Sequence, residues 1–308
     1  MKTIKIGLLG LGNIGTGTYK TLEMNRSEIE STLNAKVEIV KILERDTERD
    51  RGITVPKEKF TSDPDEIFQD PEIDIVIELL GGIEPATTFM LSALKNGKHV
   101  VTANKAALAA NYHELINAAK ENNVILRFEA SVGGGIPILG TLTGPLRANK
   151  FEEVMGILNG TTNYILTMMT KEGLDYETAL KDAQEQGFAE ADPTADVEGI
   201  DAANKLTILM ALMFDKYVAP KDIPTTGITE ITKEKIEEAR SNGCKIKLIA
   251  HAWRDENDEI KYEVRPMYIS ATHPLANINK EFNAVFVKGN AVDDVMFYGK
   301  GAVPLPTG

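Results

Sequence analysis

Cysteine is nearly absent, with Cys244 alone in 308 residues. One thiol cannot close an internal disulfide, so a secreted scaffold built on disulfides is excluded. Histidine is scarce as well: four scattered histidines and one cysteine give no zinc-ligand spacing. Positive charge is in deficit, 34 Lys and Arg against 46 Asp and Glu, for a net charge of −12. That balance argues against nucleic acid or an anionic membrane as partner, while leaving room for a local basic patch. No apolar run approaches the roughly 18 residues of a membrane-spanning helix. The opening MKTIKIGLLGLGNIG imitates a signal peptide, but Lys5 interrupts it, glycines fall inside it and no small-residue cleavage site follows. A soluble cytoplasmic protein with a small-molecule partner is expected.

What is present suffices for a large core. Hydrophobic residues make up 43% and charged residues 26%, a globular balance, and the length suggests about two domains. The first third alternates strand and helix. Ile4 to Leu9, Val37 to Leu43, Ile73 to Leu79, His99 to Thr102 and Val124 to Glu129 read as buried strands. Thr16 to Leu33, Thr87 to Asn96 and Asn111 to Asn122 read as the helices between them. Such alternation implies an α/β domain with a doubly wound parallel sheet. After Gly135 longer helices appear: 161–171, 176–186 (capped by Asp175 and closed by Gly187), 202–214, and 233–241 behind Thr232. Strands are expected at 153–158, 245–253, 262–270, 282–288 and 295–298, which suits an antiparallel sheet covered by helices. The division predicted is a dinucleotide-binding domain over 1–130 and a second domain over 131–308.

Gly10-Leu11-Gly12-Asn13-Ile14-Gly15 has the GxGxxG form, after a strand and before a helix. The first glycine permits the turn, the second admits a pyrophosphate, and the third lets helix pack on strand. Free N–H groups at the helix start then face the phosphates. A purely structural turn is the alternative. The end of the second strand should choose the cofactor, since an acid suits the ribose hydroxyl of NAD and an arginine the 2′-phosphate of NADP. Glu44 and Arg45 offer both; the reading leans to NADP with NAD tolerated, and leaves Arg49 and Arg51 as a solvated charged loop. Thr102-Ala103-Asn104-Lys105 follows the fourth strand, where Lys105 could reach the nicotinamide or the substrate, or simply face solvent at a helix start.

The stretch from Phe188 to Lys205 is the most unusual. Glu190, Asp192, Asp196 and Glu198 crowd a loop containing proline and glycine, and Asp201 opens the next helix. Asp201 and Lys205 lie four apart on one helix face. A solvated ion pair is the ordinary meaning, but the apolar run after Lys205 requires much of this helix to be buried. A partly buried Asp–Lys pair is a candidate proton-transfer site, and the acidic loop could hold a substrate ammonium.

Taken together, GLGNIG, VVTANKAALA, FEASVGGGIPI, LNGTTNYIL, GFAEADPTADVEGIDAANK and GKGAVPLPTG resemble homoserine dehydrogenase, in order along nearly the whole chain. The glycine motif is common among oxidoreductases; the acidic stretch is highly specific. The resemblance implies a Rossmann-type doubly wound parallel sheet plus an α+β substrate and dimerisation domain with an antiparallel sheet. It implies reversible oxidation of L-homoserine to L-aspartate 4-semialdehyde with NAD(P), on the route from aspartate to threonine, methionine and isoleucine. By motif, Lys205 is the proton donor and acceptor with Asp201 beside it, and Lys105 lies between cofactor and substrate. Glu190 would bind the substrate amino group, with Asp196, Gly160 and Thr161 lining the same pocket. Gly10, Gly12, Asn13, Ile14, Gly15, Arg45, Thr102 and Gly301 fall to the cofactor. A monovalent cation, sodium in most of the family, is implied at the Glu129 carboxylate and the carbonyls of Val132, Gly134 and Ile136, although a glycine-rich hinge would read the same. A homodimer joined through the antiparallel sheets is also implied.

Two departures stand out. Val303 occupies the place of the family's second glycine in GKGAG, and the chain ends at Gly308, where family members continue into a helix that packs back on the cofactor domain. On that reading the chain is a shortened form, without a C-terminal ACT domain or feedback inhibition through one. Two other functions stay open: a sugar-type oxidoreductase, and a non-catalytic NADP-binding sensor.

Overall fold

The structure, a computed structural model, describes residues 2–301 and 304–308. Chain contacts divide it into two units, one running to Gly134 and including the C-terminal residues, the other starting at Gly135. In the first unit β1 (Lys2–Leu9) leads into α1 (Asn13–Met24), α2 (Arg26–Leu33) and β2 (Ala35–Leu43). Next come β3 (Phe60–Thr61), α3 (Asp65–Phe68), β4 (Ile75–Glu78), α4 (Ala86–Lys95) and β5 (His99–Thr102). The last elements before the division are α5 (Lys105–Ala110), α6 (Tyr112–Glu121) and β6 (Leu126–Arg127). The sheet order is β3-β2-β1-β4-β5-β6 and each pairing is parallel. The order reverses beside β1, so the crevice for a ligand lies at the carboxyl ends of β1 and β4. Burial on both faces explains the apolar strands: Ile6, Leu8, Val37, Ile39 and Ile42 pack with Tyr19 and Leu22 of α1.

Several expectations shift locally. The helix foreseen over 16–33 is two helices, because the backbone leaves the α region at Asn25 (φ −114°, ψ 19°). It also starts earlier, so Asn13 and Ile14 of the glycine motif are already helical. The fifth expected strand shrinks to Leu126–Arg127, because Glu129–Ser131 tighten into a 3₁₀ turn. The short β3 and α3 were not foreseen.

The second unit contains α7 (Leu139–Thr143), β7 (Phe151–Ile157), α8 (Gly160–Glu172), α9 (Tyr176–Glu185), α10 (Thr194–Val197) and α11 (Ile200–Met213). It continues through α12 (Lys233–Ser241), β8 (Cys244–Arg254), β9 (Ile260–Ser270), β10 (Phe282–Gly289) and β11 (Asp293–Lys300). Here the sheet order is β11-β10-β7-β8-β9, antiparallel at each step. Asp175 caps α9 by accepting the Thr178 N–H at 2.8 Å, and Gly173 ends α8 in the left-handed region (φ 67°). The division falls after Gly134, where 130 was expected. Moreover α13 (Pro304–Thr307) packs on α1, so these residues belong to the first unit and not to the second. Among the described residues no helix is long and apolar enough to cross a membrane.

Candidate active site

In the first unit the glycine turn is shaped as its spacing predicts. Gly10 sits at φ +92°, and a side chain on Gly15 would run into the Gly10 carbonyl. Above Gly12 there is open space. It belongs to a cavity of about 590 Å³ lined by Leu11, Gly12, Asn13, Thr16, Lys20 and Arg49 among others, large enough for part of a dinucleotide. Leu305 and Pro306 of the C-terminal segment also line it, which sequence reasoning missed. Val303 lies outside the described residues.

The end of β2 carries both side chains that the sequence singled out, Glu44 and Arg45. The Glu44 carboxylate is held by backbone N–H groups. Its Oε2 accepts the N–H of Leu11 at 2.9 Å, and its Oε1 accepts those of Arg45 and Asp46 at 2.8 and 3.2 Å. Partial burial works to raise its pKa, yet these bonds and the Arg51 charge outweigh it and hold the carboxyl below the usual range. Arg51 corrects the solvated-loop reading: its side chain is only 7% exposed, 3.3 Å from Glu44, and donates to the Leu11 carbonyl at 2.7 Å. Arg49 is exposed, as expected. Arg45 is exposed and lines a second cavity, of about 320 Å³, together with Glu44, Ser62, Pro64, Leu80 and Phe89.

Thr102 is almost fully buried, and its hydroxyl donates to Glu78 at 2.7 Å while accepting the Asn104 N–H at 2.9 Å. Glu78, wholly buried at the end of β4, was missed by sequence reasoning; it also accepts the Leu80 N–H at 2.8 Å. The pair fixes the strand ends from which Lys105 projects. Lys105 is half-buried in the first turn of α5, which Asn104 caps by accepting from Ala107 at 3.1 Å. Lys105, Asn104, Gly81, Gly82 and Ile14 line a further cavity of about 200 Å³.

The second unit gathers its predicted residues around the start of two helices. Lys205 Nζ donates to Asp201 Oδ2 at 2.6 Å and to the Leu158 carbonyl at 2.5 Å, with both side chains 8% exposed. Asp201 lies in the first turn of α11, where the helix dipole favours an anion, and Lys205 follows one turn later. Most of the remaining residues of α11 are buried and apolar, so the pair sits on a helix enclosed along its length. Asn159 ties this pair to the acidic loop: its Nδ2 reaches Asp201 at 2.9 Å and Asp196 at 2.6 Å. Its Oδ1 meanwhile caps α8 through the Thr162 N–H at 2.9 Å. Asn159 was missed, although an asparagine directly before a helix is a capping signal. The Thr161 hydroxyl lies 2.9 Å from Asp196 Oδ2 and 2.6 Å from the Phe188 carbonyl, so the loop leading to Glu190 is anchored on α8. Glu190 itself is exposed. Two aspartates against one lysine leave one negative charge in excess, an arrangement suited to a cationic ligand beside a proton carrier.

Gly301 is buried against Asn283 of β10. Of the suggested cation ligands, Glu129 opens the 3₁₀ turn, Val132 and Ile136 are buried, and Gly133 and Gly134 take φ +74° and +56°. Among the described residues no three acidic, histidine or cysteine side chains cluster as metal ligands.

Known proteins match both units. A family model described as "Homoserine dehydrogenase, NAD binding domain" matches residues 10–129, and one described as "Homoserine dehydrogenase" matches 137–308. The homoserine dehydrogenase of Bacillus subtilis is 46% identical over all of this chain and 71% of its own length. A crystal structure of the Thiobacillus denitrificans enzyme superposes with a TM-score of 0.95 at 43% identity, covering all of this chain and 71% of that one. A hyperthermophilic archaeal homoserine dehydrogenase in complex with NADPH gives 0.82 at 26% identity, over 99% of this chain and 94% of its own. Sequence, topology and both family models agree, and the chain belongs to the homoserine dehydrogenase family of NAD(P)-dependent oxidoreductases.

Proposed function

We propose that this chain is a cytoplasmic enzyme that interconverts L-homoserine and L-aspartate 4-semialdehyde, preferring NADP(H) and tolerating NAD(H). The observation that carries the reading is the buried Lys205–Asp201 pair joined through Asn159 to Asp196. In this scheme Lys205 takes the hydroxyl proton during oxidation and returns it during reduction, held in place by Asp201 and the Leu158 carbonyl. The bound nicotinamide supplies the hydride chemistry. Glu190 and Asp196 receive the substrate ammonium, and the first-turn N–H groups of Gly160 and Thr161 suit its carboxylate. Gly10, Gly12, Asn13, Ile14 and Gly15 hold the pyrophosphate, with Thr102 and Lys105 at the nicotinamide end and Gly301 in the segment that lines it. The test is the initial rate of L-homoserine oxidation followed at the nicotinamide absorbance with NADP and with NAD. A folded, nucleotide-binding protein with no turnover would overturn the assignment.

Three finer points belong to the same proposal. The preference for NADP follows from Arg45, the exposed cation at the end of β2, while Glu44 is engaged by backbone N–H groups. A charge-assisted bond to phosphate contributes about 1.5–3 kcal/mol, so Arg45→Ala should raise the NADPH dissociation constant about tenfold to a hundredfold and leave NADH within twofold. Fluorescence titration checks it; equal weakening of both nucleotides would refute it. A sodium ion at Glu129, Val132, Gly134 and Ile136 predicts that replacing sodium by tetramethylammonium lowers the rate. A homodimer is the assembly that the family resemblance implies; on the antiparallel sheet Phe286 is buried in a core cluster with Leu275 and Ile278, and Tyr298 of β11 is 65% exposed. A monomer by light scattering at micromolar concentration would exclude it.

A further inference from the structure

Three buried asparagines of the second unit surround the start of α8: Asn159, Asn163 and Asn283. Two are satisfied at both ends of the amide. Asn159 is described above, and Asn163 donates to the carbonyls of Ile278, Lys280 and Phe282 while its oxygen accepts Lys247 Nζ at 2.9 Å. Asn283 differs. It is 2% exposed, yet its Oδ1 is buried without a hydrogen-bond donor. A buried carbonyl oxygen left unpaired is costly, so its retention needs a reason.

Two glycines make room for this amide. A Cβ on Gly301 would stand 2.9 Å from Cγ, Nδ2 and Oδ1 of Asn283. One on Gly160 would lie 3.6 Å from Oδ1, the nearest Asn283 atom, and 2.9 Å from the Glu281 carbonyl. The unpaired oxygen therefore lies between Gly301 and Gly160, the first residue of a 13-residue helix. Among the described residues no donor reaches this oxygen, which leaves the position to a ligand group bearing a hydrogen that enters beside it.

We propose that Asn283 is a substrate-binding residue whose side-chain oxygen accepts a hydrogen bond from the ammonium of the amino-acid substrate. The inference rests on the homoserine reading above. A carboxylate at the first turn of α8 carries the ammonium on the adjacent carbon, within reach of an acceptor beside Gly160. The substrate hydroxyl, its other donor, is committed to Lys205. No role had been assigned to Asn283 from the sequence.

The test compares L-homoserine with 4-hydroxybutanoate, the same chain without the ammonium, as ligands of the NADPH-loaded protein measured by calorimetry. Asn283→Leu keeps the side-chain shape and removes the acceptor. It should weaken L-homoserine about tenfold or more, and leave 4-hydroxybutanoate and NADPH within twofold; in turnover KM should rise more than kcat falls. Unchanged L-homoserine affinity, or equal weakening of both ligands, would overturn the proposal. If this variant does not fold, Asn283→Asp decides: an added negative charge should retain L-homoserine and weaken 4-hydroxybutanoate, and parallel loss of both counts against it. Failure of the unaltered, NADPH-bound chain to take L-homoserine at all would instead remove the homoserine reading, and this assignment with it.

Discussion

Replacing Lys205 by methionine should lower kcat for homoserine oxidation about a thousandfold while the NADPH dissociation constant stays within twofold. General acid–base catalysis by a positioned side chain contributes 10²–10⁴-fold, and Lys205 is proposed to be that group here. Methionine keeps the length of the side chain and cannot carry the proton. The structural cost must be separated from the chemical one, because the buried Asp201 carboxylate loses the Lys205 charge, and losing one member of a buried pair costs about 3–5 kcal/mol. The double variant Lys205→Met with Asp201→Asn removes both charges and keeps an amide where Asn159 donates. Its thermal midpoint should recover towards that of the unaltered chain while turnover stays lost. Recovery of turnover together with stability would show that Lys205 serves the fold alone.

How much of this was legible in the sequence depends on how local each signal is. The glycine turn was, because its three glycines act within six residues of one another. The caps at Asp175 and Thr232 were legible for the same reason, each bonding an N–H three residues on. The Asp201–Lys205 pair could be read from helical spacing, and its burial from the apolar run that follows. Cofactor preference could not be read from Glu44 and Arg45 alone. Whether an acid at the end of β2 is free depends on Arg51 and on the N–H of Leu11, which only folding brings to it. Glu78 was invisible because one charge ending the apolar strand DIVIE reads as surface, and only the approach of Thr102 from β5 shows it to be a buried brace. Asn159 was hidden inside a recognised motif whose flanking glycine and threonine drew the attention. The break at Asn25 escaped because the hydrophobic pattern on either side continues through it. Contacts distant in sequence account for the larger omissions, while the strand ends moved by only a residue or two.

The second large effect is on stability. Replacing Lys247 by methionine should change the stability difference from the unaltered chain by about 3 kcal/mol between pH 6.5 and pH 9.5. Lys247 on β8 is 2% exposed, and its Nζ donates to Asn163 Oδ1 at 2.9 Å and to the Ile278 carbonyl, both neutral acceptors. Burial lowers its pKa to about 7, with the charges of Lys245 and Lys171 acting in the same direction. In the unfolded chain the lysine titrates near 10.5. Below pH 7 both states hold the proton and the folded one bears the full penalty. Between about 7 and 10.5 the unfolded state holds the extra proton, so stability gains roughly 1.4 kcal/mol per pH unit. Methionine keeps the apolar stem and does not titrate. The unaltered chain should therefore gain on the variant as pH rises, and the lost bonds to Asn163 and Ile278 add only a constant offset. Urea unfolding of both proteins at several pH values isolates the effect, because every other titrating group is common to the two. A difference that stays flat from pH 6.5 to 9.5 would mean that Lys247 keeps its proton in the folded state throughout. The hydrogen bonds to Asn163 and Ile278 would then have to offset its burial in full.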